Sequence, residues 1–253
     1  MATTTRYFIG NWKMFGIPSS YKILNRIDGY FAKDRKNNKK YKIIIAVPFI
    51  LLHDFYKRFR KKNIIISAQN CYHKDGFGPY TGNVSSLMIK KIGVNCIILG
   101  HSETRASGET EKIIKDKIKA CVDNNLNIIY CIGENKIQKK KKQTLKILKK
   151  QIFNVITKRS DFKKIIIAYE PVWSIGSGLV PKTNDLKKNI NLLKKFIRLK
   201  YGLKNSPRII YGGSVDKKNI DNFKSIKDLD GFLVGGASKS SKNFIDIIKN
   251  FYK

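Results

Sequence analysis

The sequence predicts an α/β protein built as a (β/α)₈ barrel, and three observations carry that reading. Eight short apolar runs alternate with longer amphipathic segments from one end of the chain to the other. The runs are too uniformly apolar to keep a wet face, as expected of parallel strands covered by helices. The chain has 253 residues, the length that eight such units occupy. An open doubly wound sheet is the competing arrangement. It calls for a GxGxxG turn after the first strand, and GNWKMFG at 10–16 is not one. With no Ser/Pro-rich gap and no internal repeat, 1–253 reads as one domain.

The first strand is expected at YFIGN (7–11), where an apolar run meets Asn11 and Lys13. KIIIAV (42–47) and IIISA (64–68) are rich in isoleucine, whose branched side chain suits a pleated surface. CIILG (96–100) and NIIYCI (127–132) follow, and between them the segment after Glu109 sets Ile114, Ile118, Cys121 and Val122 on one helical face. Leu145, Leu148, Ile152 and Val155 mark the next helix, before the strand IIIAYE (165–170). A third helix carries Leu186, Ile190, Leu193 and Ile197 and ends at Tyr201-Gly202, with glycine where a left-handed cap is wanted. RIIYG (208–212) and GFLVGG (231–236) complete the strands, and a helix over 243–252 closes the chain.

Composition narrows the partners. At 42% hydrophobic and 28% charged the chain is globular rather than disordered. Its net charge of +34 is compatible with nucleic acid, an anionic membrane or an anionic small substrate. Placement decides among them. Lys139 to Lys142, with Lys146, Lys149 and Lys150, oppose apolar Leu145, Leu148 and Ile152, which reads as the solvent side of one surface helix. Aromatic interleaving is sparse and no nucleic-acid module is recognisable, so nucleic acid is not expected as the primary partner.

Cys71, Cys96, Cys121 and Cys131 form no CxxC pair, and His53, His73 and His101 have no metal-ligand spacing. A reducing cytoplasm, no metal and no cofactor are therefore expected. MATTTRYFIGNWKMF lacks the apolar core of a secretory signal. The longest apolar stretch, 43–52, is too short to span a bilayer and contains Pro48.

The chain is organised around IIIAYEPVWSIGSGLVP, residues 165–181. A buried-strand run ends in Glu170, and Pro171 then stops the ladder. The following segment is bracketed by Pro171 and Pro181, with Gly176 and Gly178 at its centre. Stiff ends and a permissive middle describe a flap that moves as a unit. Read alone, this stretch fits a catalytic base and a structural carboxylate equally well.

A barrel builds its active site at the carboxyl ends of its strands. Those positions here hold Asn11 and Lys13, His101 and Glu103, Glu170, Gly212-Gly213-Ser214, and Gly235-Gly236. Polar groups and glycines thus concentrate where one mouth would gather them.

GNWKM (10–14), AQN (68–70), GHSE (100–103), CIGE (131–134), YEPVW (169–173), YGGSV (211–215) and GFLVGGAS (231–238) resemble, in order and spacing, the signature segments of the triosephosphate isomerase family. The resemblance implies a single TIM-barrel domain and a cofactor-free isomerase that shifts a proton between adjacent carbons of a triose phosphate through an enediolate. It implies Glu170 as the base, His101 as a neutral electrophile, Lys13 and Asn11 as groups facing the substrate oxygen and phosphate, and Glu103 as a supporting carboxylate paired with Lys13. Backbone N–H groups of Gly176, Ser214, Gly235 and Gly236, with the start of a short helix after the eighth strand, would clamp the phosphate. The flap would latch onto Tyr211 and Ser214. The loop 71–83 resembles the family's interdigitating loop, implying a homodimer in which Thr81 reaches Asn11 and Lys13 of another copy. Thr104, Phe15, Asn83 and Lys239 depart from the family pattern, and none of them removes a catalytic group. A different phosphate-clamping barrel enzyme, the nearest rival, should lack the Asn11, Lys13, His101 and Glu170 set.

Overall fold

A computed structural model describes residues 5–253. Its eight strands are β1 (Arg6–Asn11), β2 (Tyr41–Ala46), β3 (Ile64–Ser67), β4 (Cys96–Leu99), β5 (Asn127–Ile132), β6 (Ile165–Tyr169), β7 (Arg208–Tyr211) and β8 (Gly231–Val234). Every pairing is parallel, in the order β3-β2-β1-β8-β7-β6-β5-β4. The ring closes between β3 and β4 through the bridge Ala68↔Ile97, where Ala68 N–H donates to the Cys96 carbonyl at 2.9 Å and Ile98 N–H to the Ala68 carbonyl at 2.9 Å. This is a (β/α)₈ barrel.

The helices are α1 (Tyr21–Lys33), α2 (Phe49–Phe59), α3 (Ser86–Lys91), α4 (Ser102–Ala106), α5 (Glu111–Asp123), α6 (Lys136–Lys140), α7 (Thr144–Val155), α8 (Thr183–Lys200) and α9 (Ser241–Tyr252). Several starts are fixed by side chains that satisfy otherwise orphaned N–H groups. Ser85 accepts from Met88, Thr110 from Ile113, and Ser240 from Asn243. The expected stop after α8 is observed, with Gly202 at φ 59°.

Alternation along the strands divides the core in two. Tyr7, Ile9, Ile44, Ala46, Ile98, Ile129, Ile166, Ala168, Ile210 and Leu233 belong to one cluster, which fills the barrel. Phe8, Ile43, Ile45, Ile97, Ile128 and Ile167 belong to the other, with Leu24, Phe55, Ile114, Leu148, Ile190 and Phe244 from the helices. Both faces of most strands are therefore dry, Ile65 on β3 being an exposed exception, which is why the runs read as continuously apolar. The period of two also sets the rim. Continuing Tyr7–Ile9 by two residues gives Asn11, and continuing Ile166–Ala168 gives Glu170.

The lysine run departs from expectation. It is split between α6 and α7, and the chain turns at Lys142 with φ 56°. Several lysines also lie on rings rather than standing in solvent: Lys139 over Trp173 at 3.2 Å, Lys149 over Phe196 at 5.0 Å and Lys200 over Phe153 at 4.8 Å. In each case the ammonium itself sits over the ring face, and at Lys139 burial lowers its pKa. No helix among the described residues is long and apolar enough to cross a membrane.

Candidate active site

A recess of about 250 Å³ opens at the carboxyl ends of the strands. Asn11, Lys13, His101, Glu170, Gly176, Ser214, Gly235 and Gly236 all line it. Of the residues expected from the sequence, only Glu103 stands back from the wall, and it is tied to the site through Lys13.

Glu170 follows β6 directly, and its N–H donates to the Ile132 carbonyl at 2.7 Å. The side chain is buried, 2% exposed. Burial pushes its carboxyl above the usual glutamate range, opposed by His101, a hydrogen bond from the Cys131 thiol, and Lys13. The backbone is packed against the residue. A Cβ on Gly133 would lie 1.8 Å from the Glu170 carbonyl oxygen, and one on Gly212 would lie 2.5 Å from its Cγ. Glycine at those two positions is what lets the carboxylate sit there.

His101 caps α4, and its Nδ1 accepts from the Glu103 N–H at 3.2 Å. An N–H donates only to an unprotonated ring nitrogen, so this bond makes the imidazole neutral with its proton on Nε2. Nε2 faces the recess, 3.6 Å from Glu170 Oε1. The Glu103 carboxylate, 3.6 Å from Nδ1, is engaged elsewhere: Lys13 Nζ donates to its Oε1 at 2.6 Å. The side chains of that pair are 27% and 57% exposed, so it positions Lys13 more than it stabilises the fold.

Lys13 has φ 55°, a left-handed conformation unusual for a side-chain-bearing residue. Three bonds hold it there or nearby: Asn11 Oδ1 accepts from its N–H at 3.1 Å, and Gln69 Nε2 donates to its carbonyl and to that of Ala46, both at 3.0 Å. Strain kept by surrounding bonds points to a constrained functional position.

The flap has buried ends, Pro171 and Pro181, and an exposed centre in which Gly176 has φ 67° and Gly178 φ 74°. The flap hydrogen-bonds Tyr211 and Ser214, the two residues onto which a latch is expected when phosphate is bound. Ser174 Oγ meets Tyr211 OH at 2.9 Å, Gly178 N–H donates to Ser214 Oγ at 3.2 Å, and Ser214 Oγ–H donates to the Ser174 carbonyl at 2.6 Å. After β8 the chain makes a four-residue 3₁₀ turn, Gly236–Lys239, where a short helix was expected. Trp12 Nε1 donates to its Ser238 carbonyl at 3.0 Å and anchors it. Lys239 lies over Phe15 at 5.3 Å, so two of the departures from the family pattern pack on each other.

Sequence reading passed over the groups that hold these residues. Cys131 touches Glu170, Gln69 holds Lys13, and buried Glu134 accepts from Trp173 Nε1 at 3.0 Å and Tyr169 OH at 3.3 Å. Arg105 donates to the Gly100 carbonyl at 2.7 Å and the Cys131 carbonyl at 3.2 Å. Gln69, Cys131 and Glu134 lie in strand-end segments already singled out (AQN, CIGE), and Arg105 lies two residues beyond a third (GHSE), which was the available signal. Thr104, one of the departures, hydrogen-bonds the His101 carbonyl at 2.8 Å, and the neighbouring Glu109 is paired with Lys117 and Asn70.

A barrel with a buried carboxylate facing a neutral imidazole, and a fixed ammonium beside a glycine-lined recess, defines an enzyme class that moves protons on a small anion. A family model described as triosephosphate isomerase matches residues 6–251. The triosephosphate isomerase of Yarrowia lipolytica is 39% identical over 248 residues, covering 96% of this chain and 98% of its own. That of Mycoplasma mobile is 38% identical over 250 residues, covering 96% and 99%. The crystal structure of triosephosphate isomerase from Bartonella henselae superposes with a TM-score of 0.87 at 30% identity, covering 98% of this chain and 99% of that one. The chain belongs to the triosephosphate isomerase family.

Proposed function

We propose that this chain, acting as a single domain, interconverts dihydroxyacetone phosphate and D-glyceraldehyde 3-phosphate, with Glu170 as the base and His101 as the electrophile. The observation that carries the assignment of roles is the 3.6 Å approach of His101 Nε2 to Glu170 Oε1 across the recess that Asn11 and Lys13 also line. The Glu170 carboxylate removes a proton from the carbon beside the carbonyl. The electron pair left on carbon moves to the carbonyl oxygen, giving an enediolate. The Nε2–H of His101, with Lys13 and Asn11, hydrogen-bonds the oxygens on which that charge develops. A neutral imidazole in this role is the family's established pattern and is carried over here. The hydroxyl proton on the first carbon's oxygen passes to the second oxygen, which His101 Nε2 adjoins, and the protonated Glu170 returns its proton to the second carbon, so that the first oxygen becomes the new carbonyl and Glu170 is again a carboxylate.

Burial of Glu170 makes it a stronger base than a solvated carboxylate. The flap, through Gly176 and Gly178, would exclude water from the enediolate, whose exposure leads to loss of phosphate. Backbone groups of Gly176, Ser214, Gly235 and Gly236 would receive the phosphate. The enzyme acts in glycolysis and gluconeogenesis, and a cytoplasmic location fits buried free thiols at Cys71, Cys96, Cys121 and Cys131.

We further propose a homodimer. Met14 is 99% exposed and Ile17 63%, just after Asn11 and Lys13 of the recess, and Phe77 is 77% exposed on the loop 71–83. Apolar side chains so placed fit a surface that a second copy covers. The loop 71–83 has no core of its own but is pinned at Asp75, which accepts from Ser86 at 2.7 Å and Asn124 at 2.7 Å. A coupled assay on either triose phosphate, with Glu170→Asp and His101→Gln as controls, tests the activity; no turnover by the parent chain would refute it. Sedimentation showing an active monomer would refute the dimer.

A further inference from the structure

At the opposite end of the barrel the chain builds a second concave surface. Three adjoining recesses of about 780, 480 and 260 Å³ all border Ser206, in the segment 203–208 that leads into β7. The strands present their amino-terminal residues here: Tyr7 from β1, Lys42 from β2 and Arg208 from β7. Helix α8 supplies Lys194, Lys195 and Arg198, and Lys227 comes from the loop before β8. Lys163 and Lys204 extend the same wall.

Eight cations from separate elements thus converge on one cleft that holds only two carboxylates, Asp228 and Asp230. Asp230 is already committed, to Lys194 Nζ at 2.7 Å and to the Ile209 N–H at 2.7 Å. The Arg208 guanidinium is set in place 5.8 Å from the Tyr7 ring. Elsewhere the positive coat lies largely on outward-facing helix surfaces, where solvent screens it. A concave wall of one sign focuses the field instead. Next to the cations, Phe162, Leu203 and Pro207 give the largest recess an apolar floor.

We infer that this cleft is a binding site for a linear oligophosphate, either inorganic or the triphosphate tail of a nucleotide. Cations on three walls match successive phosphates along a chain better than they match one phosphate. Two arginines among six lysines favour charge recognition over a single bidentate clamp. The site lies at the amino ends of the strands, so it is separate from the recess that holds Glu170.

The test is calorimetric titration of the intact protein with inorganic tripolyphosphate at about 150 mM salt, where the Debye length is about 8 Å. Orthophosphate and adenosine triphosphate are titrated in parallel, and each titration is repeated with the isomerase site saturated by orthophosphate. The expected result is a site that survives this saturation and prefers tripolyphosphate to orthophosphate by at least tenfold. Lys195→Glu with Lys227→Glu should weaken tripolyphosphate tenfold or more, and the milder Lys195→Gln with Lys227→Gln several-fold. Lys146→Glu with Lys150→Glu, the same charge change on exposed α7, should weaken it less than twofold. Adenosine triphosphate binding tighter than tripolyphosphate, with the excess lost in Phe162→Ala, would identify a nucleotide as the occupant; equal binding would identify the bare phosphate chain. The inference is overturned if the two Glu pairs weaken binding equally, if orthophosphate saturation abolishes the site, or if orthophosphate binds as tightly as tripolyphosphate.

Discussion

The two ends of this barrel use charge in opposite ways. At the carboxyl-terminal mouth the charged and polar groups are few, largely buried and individually held: Glu170 by glycine-lined backbone, His101 by the Glu103 N–H, Lys13 by Glu103 and Gln69. At the amino-terminal end many cations stand at the surface, and of those lining the cleft only Lys194 has an ion pair among the described residues. Burial turns a handful of groups into machinery whose protonation and position matter atom by atom. Exposure leaves the same kinds of groups acting as a field, in which single members are replaceable.

That contrast can be broken or sharpened by substitution. The largest effect is expected from Glu170→Gln, which removes the base and should lower kcat by about 10³-fold or more, measured in the coupled assay. Glu170→Asp withdraws the carboxylate by one methylene and should cost about 10²-fold with the fold intact. A change under tenfold in either would mean that another group takes the proton. Next, removing the flap's central residues, 175–178, should cripple isomerisation and release free phosphate from triose phosphate, read by a phosphate assay. Intact activity without phosphate release would end the flap's proposed part in chemistry.

The pH profile gives a third measure. The free Glu170 base acts only when ionised, and burial has raised its carboxyl above the ordinary 4.5. Activity should therefore fall as pH drops through that raised value, and the acid limb of kcat/KM should lie above the range of a solvated glutamate. At Glu109 the shift itself is reversed and bears on stability, because its carboxyl is held low: burial would raise it, but Lys117, Asn70 and Thr104 outweigh that. Its contribution is complete above the ordinary glutamate value and is lost as pH falls through the depressed one. The smallest effect belongs to the coat. Lys146→Gln should change stability by less than about 0.5 kcal/mol. Moving from low to moderate salt should raise the melting temperature by screening the +34 charge, and an unchanged melt would count against self-repulsion.

All eight strands were legible because nearly all have two dry faces, and the observed ends lie within two residues of the expected ones, β5 matching at both. The misses at the ends share a cause. Ser67 ends β3 because Ala68 beyond it is held only by the isolated bridge to Ile97, and Tyr169 ends β6 because Glu170 beyond it enters the recess. The recess-lining residues could be read because strand ends are known in advance to point at one mouth. Their supports could not. The Cys131–Glu170, Gln69–Lys13 and Glu134–Trp173 contacts join residues 39 to 56 positions apart, and local pattern carries no trace of such pairs. Nor does composition announce that Lys13 occupies a left-handed conformation, or that Lys139 lies across Trp173 at the root of the flap.

The seam between β3 and β4 has its own consequence. Six of the eight strand junctions are ladders of at least four register pairs, while this one rests on the single bridge at Ala68 and the β7–β8 junction on the pair Tyr211↔Phe232. Opening the ring there breaks fewer interstrand bonds than unzipping most of the other junctions, so the Ala68 and Ile98 amides should exchange with deuterium ahead of those on β5 or β6. The loop 71–83 leaves the barrel within three residues of that bridge. A second copy gripping the loop would act as a clasp on one of the barrel's two weakly joined seams, and dilution into monomers would loosen the hoop there before any helix melted.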